Sequence, residues 1–447
     1  MSLSNKQVYA VLVVVVFAAY ANALLWGVFQ FDDYNVIVGN PAVHSWPAWW
    51  ADVGHGIRPL LKLSYTFDWS LGWGASGFHL SNLLIHAGNT LLIWLLTAAF
   101  LRQSGRLAAS VRLVSTTTAL LFAVHPIHTE AVTYISGRSS SLMALCYLGG
   151  MLCFLAGRQR QSRLYLHVAT PLLFVAALAV KEVALTFPLA LALLHVASGG
   201  TWHTALARTW SSWLVFFASF VYLLLDASYS VHLLRSLAAH AGWSNLALQA
   251  NALIYLLGQW WWPLGLNIDP DLRGAEAISS VKLGGVIAAM AGTALLLGRL
   301  RQHPWLGFAL AWLLLQLLLV YLITPRIDIA NERQLYLVSW PLLMALTAEM
   351  ALWLTARQFI ALSALLLVTC TTLTVLRNLD YRSELALWQA TVVLSPDKAR
   401  VHNNLGYAHD LAGQKDAARQ HYLQALALER QNFKSSYNLK ALDASQQ

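Results

Sequence analysis

Two aspartates stand side by side where the first apolar run of the chain ends, in Phe31-Asp32-Asp33-Tyr34-Asn35. Paired carboxylates at a bilayer edge are costly unless water, a cation or a reacting substrate uses them, so Asp32 and Asp33 are the first candidates for chemistry. Basic residues downstream offer the complementary charge. Arg58, in Arg58-Pro59-Leu60, is either an interfacial side chain that snorkels to water or a ligand for a lipid phosphate, which a planar guanidinium suits. The run Asn331-Glu332-Arg333-Gln334-Leu335-Tyr336 is denser, and as a helix it would put Arg333 and Tyr336 on one face about one turn apart. Arg333 is the best single candidate for a phosphate contact.

Two further motifs carry ionisable groups. His125-Pro126-Ile127-His128-Thr129-Glu130 has residues that bind zinc, but Pro126 interrupts the helix and no cysteine accompanies them. A polar cluster that lines a cavity and bonds substrate or neighbouring carboxylates is the preferred reading, with Gly137-Arg138-Ser139-Ser140-Ser141 just beyond it. Lys181-Glu182 is read equally as a span-end anchor or as part of the same site.

The elements that must position these residues are membrane helices. The chain of 447 residues is 58% hydrophobic and 11% charged, with a mean hydropathy of +0.55. Apolar runs near 8–29, 78–101, 111–126, 139–156, 164–180, 183–198, 209–225, 281–298, 305–323, 335–355 and 359–376 predict about eleven spans. The first is expected to be an uncleaved anchor despite the small residues Ala21-Asn22-Ala23. With the N-terminus inside, Lys6, Arg102, Arg106, Arg112, Arg158, Arg160, Arg163, Arg208, Arg299, Arg301 and Arg357 fall in short inner loops or at inner ends. The acidic residues, Asp32, Asp33, Asp52, Asp68, Glu130, Glu182, Asp226, Asp269, Asp271, Glu276, Asp328 and Glu332, sort to the other side, and Glu349 is the one exception before Asp380. The candidate residues thereby share one aqueous face.

Residues 248–266, with Trp260-Trp261-Trp262-Pro263, would invert every later loop as a full span. They are read instead as a re-entrant or interfacial segment in a long outer loop, 226–281. The net charge of +9 accompanies no basic stripe interleaved with exposed aromatics, so nucleic acid is excluded as a partner. Cys146, Cys153 and Cys370 lie inside spans and imply packing rather than a disulfide or zinc framework. The absence of any Asn-x-Ser/Thr sequon favours a bacterial inner membrane.

After residue 376 the sequence turns polar. Leu405, Gly406, Ala418, Tyr422 and Ala425 have the spacing of a tetratricopeptide repeat, with small residues where two antiparallel helices cross. A helix at about 380–394 with Trp388 fits the second half of a preceding repeat, and 433–441 begins a third. Such an array is too short to stand alone and is expected to lean on the membrane domain or on a partner. The expected division is 1–376 for the membrane domain, with an outer loop at 30–77, and 377–447 for the repeats.

Phe31-Asp32-Asp33, Arg58-Pro59-Leu60, the run from Gly77 to His86, Phe122-Ala123-Val124-His125-Pro126-Ile127-His128-Thr129-Glu130-Ala131-Val132, Gly137-Arg138, Lys181-Glu182 and Glu332-Arg333-Gln334-Leu335-Tyr336-Leu337 resemble, in order, the transmembrane and tetratricopeptide-repeat O-mannosyltransferases and their bacterial relatives. The resemblance implies an all-α, polytopic bundle of the GT-C glycosyltransferase type, with the repeats on the same lumenal or periplasmic side as the active site. It implies a sugar taken from a polyprenyl-phosphate donor and passed to a hydroxyl, with Asp32 as base and Asp33 orienting it or the acceptor. Arg333, Arg58 or Arg138 would stabilise the leaving phosphate, without an obligate metal and with the acceptor protein held by the repeats. His125, His128, Glu130, Lys181, Glu182, Glu332 and Tyr336 complete the expected donor and substrate region. A glycolipid or lipid A modifying transferase of the same fold and a non-catalytic scaffold are the alternatives.

Overall fold

The computed structural model describes residues 4–54, 57–105, 107, 110–225, 231, 243–272, 303–319 and 329–445. The expected span at 281–298, the tail of the one at 305–323, Arg106, Asp226, Glu276, Arg299, Arg301 and Pro325 to Asp328 lie outside the described residues.

The described chain is helical throughout, with no strand. Helix α1 (Asn5–Trp26) starts on a Ser4–Gln7 capping box. The first long loop holds two short helices, α2 (Trp46–Asp52) and α3 (Pro59–Leu71). There follow α4 (Gly74–Gln103), α5 (Val111–Val124), the single turn α6 (Thr129–Val132), α7 (Arg138–Arg160), α8 (Thr170–Leu178), α9 (Phe187–Ala197) and α10 (Trp202–Leu225). Helix α11 (Trp243–Trp261) precedes an irregular stretch to 272. Helices α12 (Pro304–Leu313), α13 (Leu335–Trp353) and α14 (Ala356–Asp380) complete the apolar part. Six helical stretches among the described residues are long and apolar enough to cross a membrane: 5–26, 74–103, 135–160, 202–225, 332–353 and 356–380. Shorter apolar helices cover four more of the expected spans, at 111–124, 165–178, 182–197 and 304–317.

Helices α4, α5, α7 and α13 form the centre, with α1 and α14 packed along one side and α8, α9 and α12 along the other. A polar stripe on α4 locks this centre. Asn82, His86 and Asn89, which share one helical face, are all fully buried. Asn82 donates to the Val132 carbonyl at 3.0 Å, a ring nitrogen of His86 lies 3.1 Å from the Ala123 carbonyl, and Asn89 donates to the Ser141 carbonyl at 2.8 Å. Each bond ties α4 to a segment near the α5–α7 connection, so α4 fixes where that connection sits. Gly137 has to be glycine there, since a Cβ would stand 1.9 Å from the Glu130 carbonyl oxygen.

The segment expected to be re-entrant differs in kind from a loop. It is a regular helix up to Trp261, and it buries Leu248, Ala252, Leu253, Leu256 and Trp260. The Trp260 indole donates to Ser339 of α13 at 3.1 Å, while Trp261 and Trp262 are exposed. One ordered face of apolar residues outweighs the local signal of the tryptophan run and Pro263. Glu349, the acidic residue out of place in the charge pattern, accepts from Trp305 at 2.7 Å and Trp353 at 3.0 Å and pairs with His303 at 2.7 Å. The three cysteines are free thiols in α7 and α14.

Four helices follow: α15 (Glu384–Leu394), which is short and apolar, then α16 (Ala399–Leu411), α17 (Lys415–Leu428) and α18 (Phe433–Ala444). Helices α16 and α17 pack along their length, with Gly406 facing Tyr422 and Ala418. The array leans on the rest of the chain as expected. Its first core joins Leu387, Trp388, Val401, Leu405 and Ala408 to Tyr134, Ile268 and Tyr381. Ser395, between α15 and α16, accepts from Asn267 at 2.8 Å and donates to the Asp269 carbonyl at 3.0 Å, while Arg400 Nε donates to the Asp269 carboxylate at 2.7 Å.

Gly406→Ala brings a Cβ to 2.8 Å from the Tyr422 ring, an overpacking expected to cost about 1–3 kcal/mol. Hydrogen exchange of the purified protein should accelerate across α16 and α17 and stay unchanged in α4 and α7.

Candidate active site

The candidate residues gather at the end of the bundle where the C-termini of α1, α5 and α14 meet the N-termini of α7 and α13. After α1 the backbone turns sharply at Phe31, whose φ is 49°. Asp33 then turns inward and is 1% exposed. Its Oδ2 accepts the Gln30 N–H at 3.0 Å, and its Oδ1 accepts the Ser136 N–H at 2.9 Å and the Ser136 hydroxyl. Burial pushes the Asp33 carboxyl up to about 7, against the pull of the Ser136 and Gln30 donors. Asp33 therefore fastens the first loop to the turn that begins α7.

Asp32 faces the other way. It is half-buried, and its N–H donates to the Tyr134 hydroxyl at 2.9 Å. Its side chain lines a cavity of about 120 Å³ together with Arg58, Tyr65, Ser136, Ser139, Lys181 and Arg333. Three cationic side chains and one carboxylate thus meet in one space.

Each cation is steadied from behind. Arg58 sits at φ 57° just before Pro59 opens α3, and its guanidinium grips Glu182 with bonds of 2.8 and 3.2 Å. Lys181 donates to Ser140 at 2.8 Å and is almost fully buried. Arg333 pairs with Glu130 twice, through its backbone N–H at 3.0 Å and its Nε at 3.3 Å. Burial raises the Glu130 carboxyl above its ordinary range, and Arg333 opposes that rise. Glu130 and Glu182 are therefore supports for the cations.

The remaining candidates sit away from the cavity. Arg138 is fully buried beneath α3 and α4, where it pairs with Asp68 at 2.5 Å, donates to Asn82 at 2.6 Å and the Phe78 carbonyl at 2.8 Å, and lies over the Tyr65 ring. It joins α3, α4 and α7 as a clamp. Glu332 pairs with Arg377 of α14 at 3.0 Å. Tyr336, just past the 3₁₀ turn at 332–334, does not line the cavity. The Tyr336 hydroxyl instead meets His86 at 2.7 Å and Asn89 at 3.0 Å inside the bundle. His125 stacks on Trp260, and His128 lies 2.9 Å from the Phe122 carbonyl with its ring near Tyr336. Among the described residues no group of three or more His, Cys, Asp or Glu side chains is arranged to hold a metal ion.

Three contributors carry no strong local signal in the sequence. Ser136 and Tyr134 fall between two conspicuous motifs, and Glu384 lies beyond the last long apolar helix, α14, yet accepts the Phe31 N–H at 2.8 Å. The spacing of Glu384 four residues before Trp388, whose indole bonds it at 2.6 Å, is the one clue available beforehand.

The resemblance expected from the motifs is borne out by comparison with known proteins. The chain is 38% identical over 204 residues to protein O-mannosyl-transferase Tmtc2 of Drosophila melanogaster, covering 41% of this chain and 21% of the fly protein. It is 32% identical over 165 residues to human protein O-mannosyl-transferase TMTC3, covering 34% and 17% respectively, and 34% identical over 143 residues to human TMTC4, covering 27% and 19%. The matched stretch thus spans about a fifth of the length of these relatives. No protein-family model matches the chain, and no solved structure does.

The raised Asp33 carboxyl makes stability depend on pH. Its contribution is complete below about 4 and is lost as pH rises through about 7, because the folded state holds the proton longer than the unfolded chain. Thermal unfolding in detergent should show the advantage of the wild type over Asp33→Asn shrinking from pH 5 to pH 8. A pH-independent difference would contradict this titration.

Proposed function

We propose that the chain is a membrane glycosyltransferase that moves a sugar, most simply mannose, from a polyprenyl-phosphate donor to a hydroxyl of a protein acceptor. What carries this reading is the half-buried Asp32 in one cavity with Arg58, Lys181 and Arg333. The similarity to proteins named O-mannosyl-transferases supports it along the stretch they share.

In the proposed reaction the acceptor hydroxyl gives its proton to Asp32 as its oxygen attacks the anomeric carbon. The bond between that carbon and the phosphate oxygen breaks, and the lipid phosphate leaves with the electron pair. Its charge is received by Arg58, Lys181 and Arg333, fixed beforehand by Glu182, Ser140 and Glu130. A phosphate is a good leaving group, so no general acid is called for, and the cations supply the positive charge that a divalent ion supplies elsewhere. A single displacement inverts the anomeric centre. The cavity end of the bundle, with the repeats, faces the periplasm or a lumen, and donor tails enter between helices from the bilayer.

Asp32→Asn should abolish transfer from a polyprenyl-phosphate mannose to a Ser/Thr-containing peptide while the protein elutes as the wild type does on size exclusion. Transfer at the wild-type rate by that folded variant would remove Asp32 as the base. Arg333→Ala should raise the donor KM and lower kcat together by about 10²–10³ in kcat/KM, as loss of one charge-stabilising donor does. Mass spectrometry of the product gives the sugar mass and the acceptor class in the same experiment.

A further inference from the structure

The turn that aims Asp32 is not made by the membrane helices alone. Phe31, the preceding residue, has left-handed backbone at φ 49°, a conformation that residues with a Cβ seldom adopt. Its N–H is satisfied by Glu384 Oε2 at 2.8 Å, from the first turn of α15 in the C-terminal array. Oε1 of the same carboxylate accepts the Trp388 indole N–H at 2.6 Å, so both oxygens are committed to N–H donors. The Phe31 ring meets the Trp388 ring edge-on at 5.1 Å, and Gln30 donates to the Tyr381 carbonyl at 2.9 Å. Two successive backbone N–H groups, of Phe31 and Asp32, are thus claimed by side chains from outside the loop, Glu384 and Tyr134.

We propose that Glu384 is a positioning residue for Asp32, so that the first helix of the repeat array is a working part of the transfer site as well as a platform for the acceptor. The proposal rests on the assignment of Asp32 as the base. By accepting the Phe31 N–H, Glu384 holds the strained turn that sends Asp32 to the cavity and Asp33 to Ser136. A structural plug would be served equally by an apolar side chain, whereas this position offers two N–H donors to a carboxylate.

Glu384 also brings a second negative charge beside the base. Burial raises its own carboxyl, and the nearby Asp32 charge adds to that rise. Asp32 shares the cavity with Arg58, Tyr65, Lys181 and Arg333 and neighbours Asp33 and Tyr134. Glu384 has Asp32 and Tyr34 as its ionisable neighbours. Removing the Glu384 charge leaves the three cavity cations less opposed, and the base should then hold its proton less tightly.

The test compares Glu384→Gln with the full-length wild type, using polyprenyl-phosphate mannose and a Ser/Thr peptide. The expected result is a fall in kcat of about ten- to a hundredfold, an unchanged donor KM, and an acid limb of the kcat–pH profile displaced to lower pH. Wild-type kcat with an unmoved acid limb would overturn the proposal. Asp32→Asn is run beside it, because an active Asp32→Asn enzyme removes the base assignment itself, whereas an inactive one with a wild-type Glu384→Gln removes only the role of Glu384. If Glu384→Gln does not fold, Trp388→Phe keeps an aromatic ring beside Phe31 and removes the N–H that steadies the carboxylate. It should lower kcat with the donor KM unmoved, and an undiminished kcat there would overturn the proposal equally.

Discussion

The bond on which the cavity depends is the one between the Asp33 carboxylate and Ser136. Asp33 lies just after the left-handed turn at Phe31 and before a loop of more than twenty residues that returns only at α3; within its own segment it bonds Gln30, and Ser136 is what ties it to the bundle. Ser136 begins the turn into α7, and its position is set in turn by Asn82 of α4, which holds the Val132 carbonyl, and by the absence of a side chain at Gly137. A membrane-buried polar stripe thereby determines the location of a loop outside the apolar core. Because Asp33 is consumed in this way, its neighbour is left to face the cavity.

The same economy governs the rest of the charged residues. A charge this deep is tolerated only if it is paired and hydrogen-bonded, and most charges at this end of the bundle are. Arg138 with Asp68 and Arg377 with Glu332 are complete within the fold, the first joining α7 to α3 and the second joining α14 to the turn before α13. Arg58 with Glu182 and Arg333 with Glu130 also pair, but these two arginines keep a face on the cavity. The difference between a clamp and a ligand here is therefore one of depth, not of residue type. A ligand phosphate would meet guanidinium groups already oriented by carboxylates, which spares their ordering on binding.

That distinction explains what could be read from the sequence. Hydropathy alone located ten of the expected spans on described helices, because twenty apolar residues leave little choice of structure. The small residues of the α16–α17 pair were equally plain, since close helix crossings restrict side-chain size. The motifs also converged on one end of the bundle as the charge pattern implied. Asp32 and Arg333, singled out from the sequence, both line the cavity; what the motifs did not disclose is that Lys181 lines it rather than Glu182 and that Tyr336 lies inside the bundle. One residue of register in a turn decides whether Lys181 or Glu182 lines the cavity, and the bonds of Tyr336 to His86 and Asn89 inside the bundle carry no local signal. The helicity of α11 was hidden because Trp260-Trp261-Trp262-Pro263 resembles an interfacial loop until Trp260 is seen bonded to Ser339.

The C-terminal array follows from the same physics. A stack of about two repeats has too little internal core to order itself, and its first core is completed by Tyr134 and Ile268 from the apolar domain. The dependence runs in both directions, because the array returns Glu384 and Trp388 to the loop that precedes Asp32. A pair of elements that each complete the other has no reason to drift apart, and the ion pairs from Asp269 to Lys398 and Arg400 add a second point of attachment on the far side of α15. Phe31 thus joins two parts of the chain, since its N–H is bonded by the Glu384 carboxylate of α15 and its neighbour Asp32 lines the cavity.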